Sequence, residues 1–371
     1  MSFSTNLPSY IANNKFLTIH LAVFDVGQGD TIVISSPDTS EAIVVDCIDA
    51  NQVASYLEEQ NIQHLRGVII THLHDDHFSA VSSLIENCLN NPNLPNCERL
   101  LYNYVKPSSA TERQQLMEDD DGHSRSVDKR ASKTALQRLV ELAKSHKIPT
   151  APASLSEYHP ETLPLKGDLA QSIFLLHPHH NHLTDRSQLK KWNLNNLSVT
   201  LLIQTSEGNA LLTGDLEPDG WDAVIASGAK VQSDVIKLPH HGAWKRNDAV
   251  DFIKSVNPSI ALISVGTDNT YDHPNNDMFS ALSTFPQIRL LCTQATNRCG
   301  ASILSKREII KNLIIEESKL DYLVNHRGCA CAGTTIIELG TVVRVIQPSV
   351  NLHVDQIVKP NFTSHQCVLP K

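Results

Sequence analysis

Short apolar runs, separated by turns rich in Gly, Pro and Asp, recur along the chain and predict a fold rich in β-strands. Residues 17–24 alternate and then run apolar, and Gly27 and Gly29 mark the turn that follows them. Further strands are predicted at 31–35, 42–46, 67–70, 198–204, 210–213, 234–238 and 259–265, and helices at 51–60, 132–147 and 308–323. Helices alternate with strands, but many strands join through tight turns. We therefore expect a layered α/β sandwich rather than a doubly wound sheet.

The same pattern divides the chain into a body and a C-terminal extension. The body covers residues 1–305 and contains a polar stretch at about 105–130, which is expected to be a surface insertion. The extension, residues 306–371, is predicted to be one helix followed by a β-rich tail. Within that helix Ile309, Leu313 and Leu320 are expected to face inward.

Composition limits the classes of protein to which the chain can belong. It has 371 residues, 41% of them hydrophobic, which suffices for a large core. We find neither a signal-peptide pattern nor an apolar run of transmembrane length, so we expect a cytoplasmic location and no membrane partner. The formal net charge of −9 argues against broad electrostatic wrapping of DNA, although a local basic groove could still guide a strand.

The segment His72-Leu73-His74-Asp75-Asp76-His77 directly follows a predicted buried strand. A loop that leaves a strand and turns into a helix brings such side chains close together, and neutral imidazoles with carboxylates suit zinc, iron or manganese. Two later strands also end in candidate ligands, at Asp215 and at His240-His241. Either alone would be an ordinary turn, but together with the first cluster they indicate a binuclear metal site.

These motifs carry a resemblance to a known family. The matching segments are Phe24–Thr31, Val44–Asp46, His72–His77, Thr213–Glu217, Pro239–Gly242 and His273–Pro274. They resemble the metallo-β-lactamase superfamily and, more narrowly, the hydrolase domain of bacterial competence DNA-uptake channel proteins, over about residues 17–305. The resemblance implies a four-layer αββα sandwich with a metal pair at one edge.

The resemblance also implies roles for individual residues. His72 and His74 would hold one metal, Asp76, His77 and His241 the second, and Asp215 would bridge them. Asp76, His240 and His273 are the candidate catalytic residues, Asp46 would orient ligands, and Lys245 or Arg246 could attract a phosphate.

The chain departs from the superfamily pattern where a third histidine usually binds the first metal. Asn195 and Asn196 stand there instead, so the first site would be labile or would prefer manganese. Four upstream histidines could substitute, but a solvated loop is expected for them: His177, His179, His180 and His182.

We therefore predict a metal-dependent hydrolase, a phosphodiesterase or nuclease that uses two divalent ions, zinc or manganese, and a metal-activated water. A nucleic acid or nucleotide is the expected substrate, and proteins of a DNA-processing or defence pathway are the expected partners. Two alternatives remain: a hydrolase of small esters, lactones or amides, and a regulatory subunit with a degenerate metal site.

The eight cysteines suggest one further site. Cys299, Cys331, His353 and Cys367 could bind a structural zinc that fastens the tail to the body. The alternative is that they are buried, reduced thiols, because the spacing is irregular and lacks paired Cys-x-x-Cys motifs.

Overall fold

The structure, a computed structural model, describes residues 17–105 and 129–361 apart from positions 158, 190, 300 and 326. The greater part of the predicted polar insertion, 106–128, and Cys367 lie outside these residues. None of the described helices is long and apolar enough to cross a membrane.

Fifteen strands among the described residues form two sheets. Their bounds are β1 Ile19–Val23, β2 Ile32–Ser36, β3 Glu41–Val45, β4 His64–Ile70, β5 Leu100–Tyr102, β6 Thr150–Ala151, β7 Glu161–Thr162, β8 Ile173–His177, β9 Thr200–Gln204, β10 Asn209–Leu212, β11 Val235–Lys237, β12 Ile260–Ile263, β13 Arg289–Cys292, β14 Thr335–Leu339 and β15 Val343–Gln347. The strand order is β15-β14-β1-β2-β3-β4-β5-β6 in the first sheet and β13-β12-β11-β10-β9-β8-β7 in the second.

The helices connect and cover these sheets. Their bounds are α1 Ala50–Glu59, α2 Asp75–Phe78, α3 Val81–Asn90, α4 Lys129–Ser145, α5 Asp168–Gln171, α6 His180–Thr184, α7 Arg186–Leu189, α8 Pro218–Ala226, α9 Ala249–Val256, α10 Asn276–Ser283, α11 Ala301–Leu304 and α12 Arg307–Ser318. Short 3₁₀ turns occur at Asn195–Leu197, Pro239–Gly242, Asn297–Cys299 and Asp321–Leu323, and a π-helix at Asn351–Val358.

The two sheets pack face to face, and helices cover both outer faces. In β1, Leu21 points into the core between the sheets, where it joins Leu201 and Leu212 of the second sheet. Its neighbour Ala22 points the other way and packs with α1 and α3, because successive strand residues face opposite sides. A third core holds α8, α9 and α10 against the second sheet. The predicted four-layer αββα sandwich is thereby confirmed.

The C-terminal strands lie in the first sheet. Strand β14 pairs antiparallel with β1, with Leu21 opposite Ile337, and β15 forms the sheet edge. The helix before them begins at Arg307 and ends at Ser318, and it buries Ile310 and Ile314. Of the three residues predicted to face inward, Ile309 is wrong, since it is 61% exposed. Leu313 is partly buried against the core of the second sheet, and Leu320, just beyond the helix end, is partly buried against the core below α1 and α3.

Candidate metal centre

Three strand ends, one in the first sheet and two in the second, deliver the candidate ligands to one edge of the sandwich. Strand β4 ends at Ile70, just before His72, and α2 begins at Asp75. Strand β10 ends at Leu212 before Asp215, and β11 ends at Lys237 before His240 and His241. Because β10 and β11 are parallel neighbours, their carboxyl ends place Asp215 and His241 side by side.

Several turns at this edge adopt left-handed backbone conformations. His240 and His241 have φ of 48° and 54°, and Asp46 has φ of 57°. Such values are uncommon for residues with a Cβ and are found at sites whose surroundings hold the backbone in place. At Gly214, φ is 53° and an added Cβ would lie 3.0 Å from the Ser198 Cβ. Glycine therefore allows the turn that carries Asp215 to sit against Ser198.

Four predicted ligands converge. Single ligand atoms of Asp76, His77, Asp215 and His241 all lie within 4.8 Å of one another. Asp215 Oδ2 is the common neighbour, at 3.1 Å from His77 Nε2 and 3.4 Å from His241 Nε2. His241 Nε2 also lies 3.5 Å from Asp76 Oδ2.

The remaining two predicted ligands adjoin this group. His72 Nε2 lies 4.0 Å from Asp215 Oδ2 and 2.9 Å from His74 Nδ1. Both imidazoles are buried. A second triplet with converging ligand atoms, Asp30, Asp46 and His77, shares His77 with the first group.

The inner atoms of the group fit a divalent metal ion. His77 Nε2, His241 Nε2 and both oxygens of Asp215 are buried, yet they make no hydrogen bond of normal geometry with the described residues. Buried polar atoms in native proteins nearly always have a partner. A mixed set of imidazole nitrogens and carboxylate oxygens is one that zinc, iron and manganese bind.

Outer contacts hold two of these imidazoles in orientation. Asp46 Oδ2 lies 2.7 Å from His77 Nδ1 and accepts a hydrogen bond from the Thr71 hydroxyl at 2.6 Å. The Ser264 carbonyl accepts from His241 Nδ1 at 2.8 Å. Both bonds fix the Nδ1–H tautomer, which leaves Nε2 of each ring as the nitrogen directed at Asp215.

A buried lysine stands behind the acidic residues. Lys237 is fully buried; its ammonium contacts Asp30, donates to the Gly214 carbonyl at 3.1 Å, and lies 3.8 Å from Asp215 Oδ1. Sequence reasoning missed this residue. Its signal was a single cation inside the apolar strand Val235–Lys237 and the following Leu238.

The asparagines in place of a third histidine surround a buried carboxylate. Glu217 accepts from Asn193, Asn195 and Asn196, at 2.9, 2.9 and 3.1 Å. Glu217 Oε1 also lies 3.6 Å from His240 Nδ1. The Asn195 amide therefore turns its nitrogen to Glu217, while its buried Oδ1 has no hydrogen-bond partner among the described residues. Glu217 was a second residue that the sequence interpretation missed.

Of the four upstream histidines that were expected to lie in a solvated loop, only His180 is exposed, and His182 is half-buried. His177 and His179 are only 1% and 5% exposed, because β8 ends at His177 inside the sandwich and His179 caps α6. His177 Nε2 lies 2.9 Å from the Asn196 carbonyl, which braces the asparagine turn. Burial and the nearby His182 lower the pKa of His177 to about 3.

The electrostatics of the protein groups divide the histidines into two kinds. Burial lowers the pKa of His77, but the Asp215 and Asp46 carboxylates outweigh it and hold this pKa well above the usual value. Burial also lowers the pKa of His241, but the Asp215 carboxylate outweighs this effect and raises the pKa to about 9. Burial and the neighbouring His77 and His74 rings hold the pKa of His72 well below the usual value.

His273 lies beside the paired histidines. Its ring centre is 5.0 Å from that of His240 and 6.2 Å from that of His241. Both ring nitrogens are buried without a hydrogen-bond partner among the described residues. Burial and His240 lower its pKa to about 2. A buried imidazole of this kind is poised to bond with a group that enters the site.

Other predicted residues lie elsewhere or are engaged. Arg246 is paired with Asp222 and Asp248 at 2.7 and 2.6 Å, so its guanidinium already has carboxylate partners. Cys331 Sγ lies 3.6 Å from His353 Nε2, whereas Cys299 contacts Thr296. With Cys367 outside the described residues, the structural zinc site stays a prediction.

Comparison with known proteins agrees with this architecture. Residues 24–90, which run from the turn after β1 to the end of α3 and contain the His72–His77 motif, match the sequence model of the Metallo-beta-lactamase superfamily. This part of the chain is therefore similar in sequence to that superfamily.

One curated relative and two solved structures illustrate the similarity. ComE operon protein 3 of Bacillus subtilis (strain 168) is 36% identical over 99 residues, which make up 27% of this chain and 12% of that protein. Tm1679, a metal-dependent hydrolase of the β-lactamase superfamily, shares 14% identity at a TM-score of 0.41, covering 74% of this chain and 95% of that chain. YhfI of Bacillus subtilis, a metallo-β-lactamase fold protein, shares 12% sequence identity at a TM-score of 0.38. The match covers 72% of this chain and 94% of that chain.

Proposed function

We propose that this protein is a metal-dependent phosphodiesterase, with a nucleic acid strand as the expected substrate. The observation that carries the proposal is the convergence of Asp76, His77, Asp215 and His241. In this group His77 Nε2, His241 Nε2 and both Asp215 oxygens are buried without normal hydrogen bonds to the described residues. The motif resemblance to competence DNA-uptake proteins favours nucleic acid over other phosphodiesters.

The residues around the centre suit two divalent ions, zinc or manganese. Asp76, His77 and His241 would hold one, His72 and His74 the other, and Asp215 would serve both. Bound divalent ions would polarise a phosphoryl oxygen and lower the pKa of a water molecule.

The protein's own groups would position the substrate and move protons. Asp46 and the Ser264 carbonyl keep the Nε2 atoms of His77 and His241 directed inward. His273 and His240, whose ring centres lie 5.0 Å apart, would contact the leaving oxygen, and the neutral His273 would accept a hydrogen bond or relay a proton there.

The test combines metal content with substrate class. Purified protein is assayed for bound metal, then for hydrolysis of bis(p-nitrophenyl) phosphate, labelled DNA and RNA, p-nitrophenyl acetate and a lactone. We expect turnover of phosphodiesters that EDTA abolishes and added manganese or zinc restores. Asp76→Ala should lose turnover, and Asp251→Ala, an exposed carboxylate remote from the site, should keep it.

Two results would contradict the proposal. Faster turnover of the ester or lactone would assign the site to small acyl substrates. Absence of bound metal after reconstitution, with no turnover of any substrate, would favour a regulatory subunit.

A further inference from the structure

The turn between β1 and β2 lies against the metal centre, although none of its residues is a proposed ligand. A Cβ on Gly29, whose φ is 120°, would collide with the Asp76 backbone carbonyl, so glycine allows this turn to pack directly against α2. The backbone N–H of Asp30 donates to the same carbonyl at 3.0 Å. The Ser264 hydroxyl donates to the Gly29 carbonyl at 2.6 Å, and the Ser264 carbonyl accepts from His241 Nδ1. The turn is thereby tied to the backbone of one proposed ligand and to the imidazole of another.

The Asp30 side chain faces the outer nitrogens of two ligand imidazoles. Its carboxylate is buried and lies 3.9 Å from His77 Nδ1 and 3.7 Å from His241 Nδ1. Hydrogen bonds to Asp46 and to the Ser264 carbonyl place a proton on each of these nitrogens. A buried negative charge at this distance attracts both N–H groups, and it makes the Nε2 atom of each ring a better electron donor to a cation.

A cation of the protein already compensates the charge of Asp30. The Lys237 ammonium contacts the Asp30 carboxylate, lies 3.8 Å from Asp215 Oδ1 and donates to the preceding backbone carbonyl at 3.1 Å. The converging triplet of Asp30, Asp46 and His77 is therefore already engaged, and we assign no metal ion to it. Lys237 instead connects Asp30 to the turn that carries the shared ligand Asp215.

We propose that Asp30 is a positioning residue of the metal centre. Its carboxylate, held in place by Lys237, orients the His77 and His241 imidazoles and strengthens their binding of the metal ion. The proposal rests on the metal centre of the proposed function and adds no ligand to it. Groups that act on metal-binding histidines from outside the ligand set contribute about 10- to 100-fold to metal affinity.

The test measures metal binding in the absence of substrate. The metal-free full chain is titrated with zinc against a chromogenic chelator, and the visible absorption of its cobalt complex is recorded. We expect Asp30→Asn to weaken binding of the first zinc equivalent about 10- to 100-fold and to change the cobalt absorption bands, because the ligand imidazoles are altered. A residue that only stabilises the fold would lower the urea midpoint but leave the zinc affinity of the folded protein and the cobalt spectrum unchanged.

A double variant separates the contacts of Asp30 from its effect on net charge. Asp30→Asn alone leaves the Lys237 ammonium buried without its partner, which adds a repulsive charge and can unfold the protein. Asp30→Asn combined with Lys237→Met removes one charge of each sign, so the net charge of the centre stays that of the parent. We expect this variant also to bind zinc at least about tenfold more weakly than the parent. Circular dichroism shows whether each variant is folded.

Asp25→Asn is the matched control. Asp25 is a buried carboxylate in the same turn, but its oxygens accept from Gln294 Nε2 at 2.7 Å and from the Asn325 N–H at 3.1 Å. These partners are not proposed ligands. The same substitution at this position should therefore leave the zinc affinity and the cobalt spectrum as they are in the parent.

Three outcomes would overturn the proposal: the double variant binds zinc as tightly as the parent, Asp25→Asn weakens binding as much as Asp30→Asn does, or the parent binds no zinc. A parent that binds zinc but hydrolyses no phosphodiester would contradict the proposed function alone. Unchanged zinc affinity in a double variant of a parent that does hydrolyse phosphodiesters would contradict this proposal alone.

Discussion

Replacing Lys237 by Met should destabilise the protein strongly even though it removes no proposed metal ligand. The Lys237 ammonium contacts Asp30, and the two side chains are 0% and 1% exposed. Methionine has a similar shape but no charge, so the Asp30 carboxylate would stay buried without its cation. Breaking a buried ion pair from one side costs about 3–5 kcal/mol of unfolding free energy.

The surroundings of Asp30 place the expected cost near the lower end of that range. His241 Nδ1 and His77 Nδ1 lie 3.7 and 3.9 Å from the Asp30 carboxylate and can take up part of its charge. We therefore expect Lys237→Met to lower the unfolding free energy by about 3 kcal/mol. Urea titration in EDTA at pH 7, followed by circular dichroism, measures this difference without a contribution from bound metal.

A double-mutant cycle separates the charge pair from lost packing. Asp30→Asn in the Lys237→Met background should cost less than Asp30→Asn alone, with a coupling of about 2 kcal/mol, because both charges are then absent. Arg344→Met is the matched surface control. Its pair with Glu338 is 62% exposed on the arginine side, so its loss should cost under about 1 kcal/mol. Equal costs for Lys237→Met and Arg344→Met would refute the reasoning.

Three further predictions concern other sites. Asp76→Ala and His77→Ala should abolish phosphodiester hydrolysis and reduce bound metal while far-ultraviolet circular dichroism stays near that of the parent; full turnover by either would exclude its role as a ligand. Burial raises the pKa of Asp25 from 3.8 to about 7, against the hydrogen bonds it accepts, so folding favours the protonated form and the parent should lose stability relative to Asp25→Asn as pH rises from about 4 to 7. Urea titrations at pH 5 and 8 check the sign, and a constant difference would contradict it. Cys331→Ser should remove about one zinc per chain if Cys331 and His353 belong to the predicted structural site, as measured by elemental analysis; unchanged zinc would leave Cys331 a reduced core thiol.

The sequence by itself predicted much of the layered fold and the residues to examine for metal binding. The alternation around Leu21 and Ala22 predicts a strand with two different faces, and this strand does pack between two layers. The His72–His77 motif predicted a cluster because its residues are close along the chain. Predictions of this kind hold in the folded protein because strand periodicity and turn conformation depend mainly on residues that are close in sequence.

Tertiary structure alone decided how distant residues meet. The local sequence pattern does not predict that β14 pairs with β1. Nor does it predict that Lys237 contacts Asp30, about 200 residues earlier in the chain. The asparagine turn was visible in the sequence, but its binding of Glu217 depends on where α8 begins. Packing also decided which apolar residues of α12 are covered, since Ile310 is buried while its neighbour Ile309 is exposed. In each case the local periodicity predicts which side of its strand or helix a residue occupies. The residues that it contacts depend on how the sheets and helices pack together.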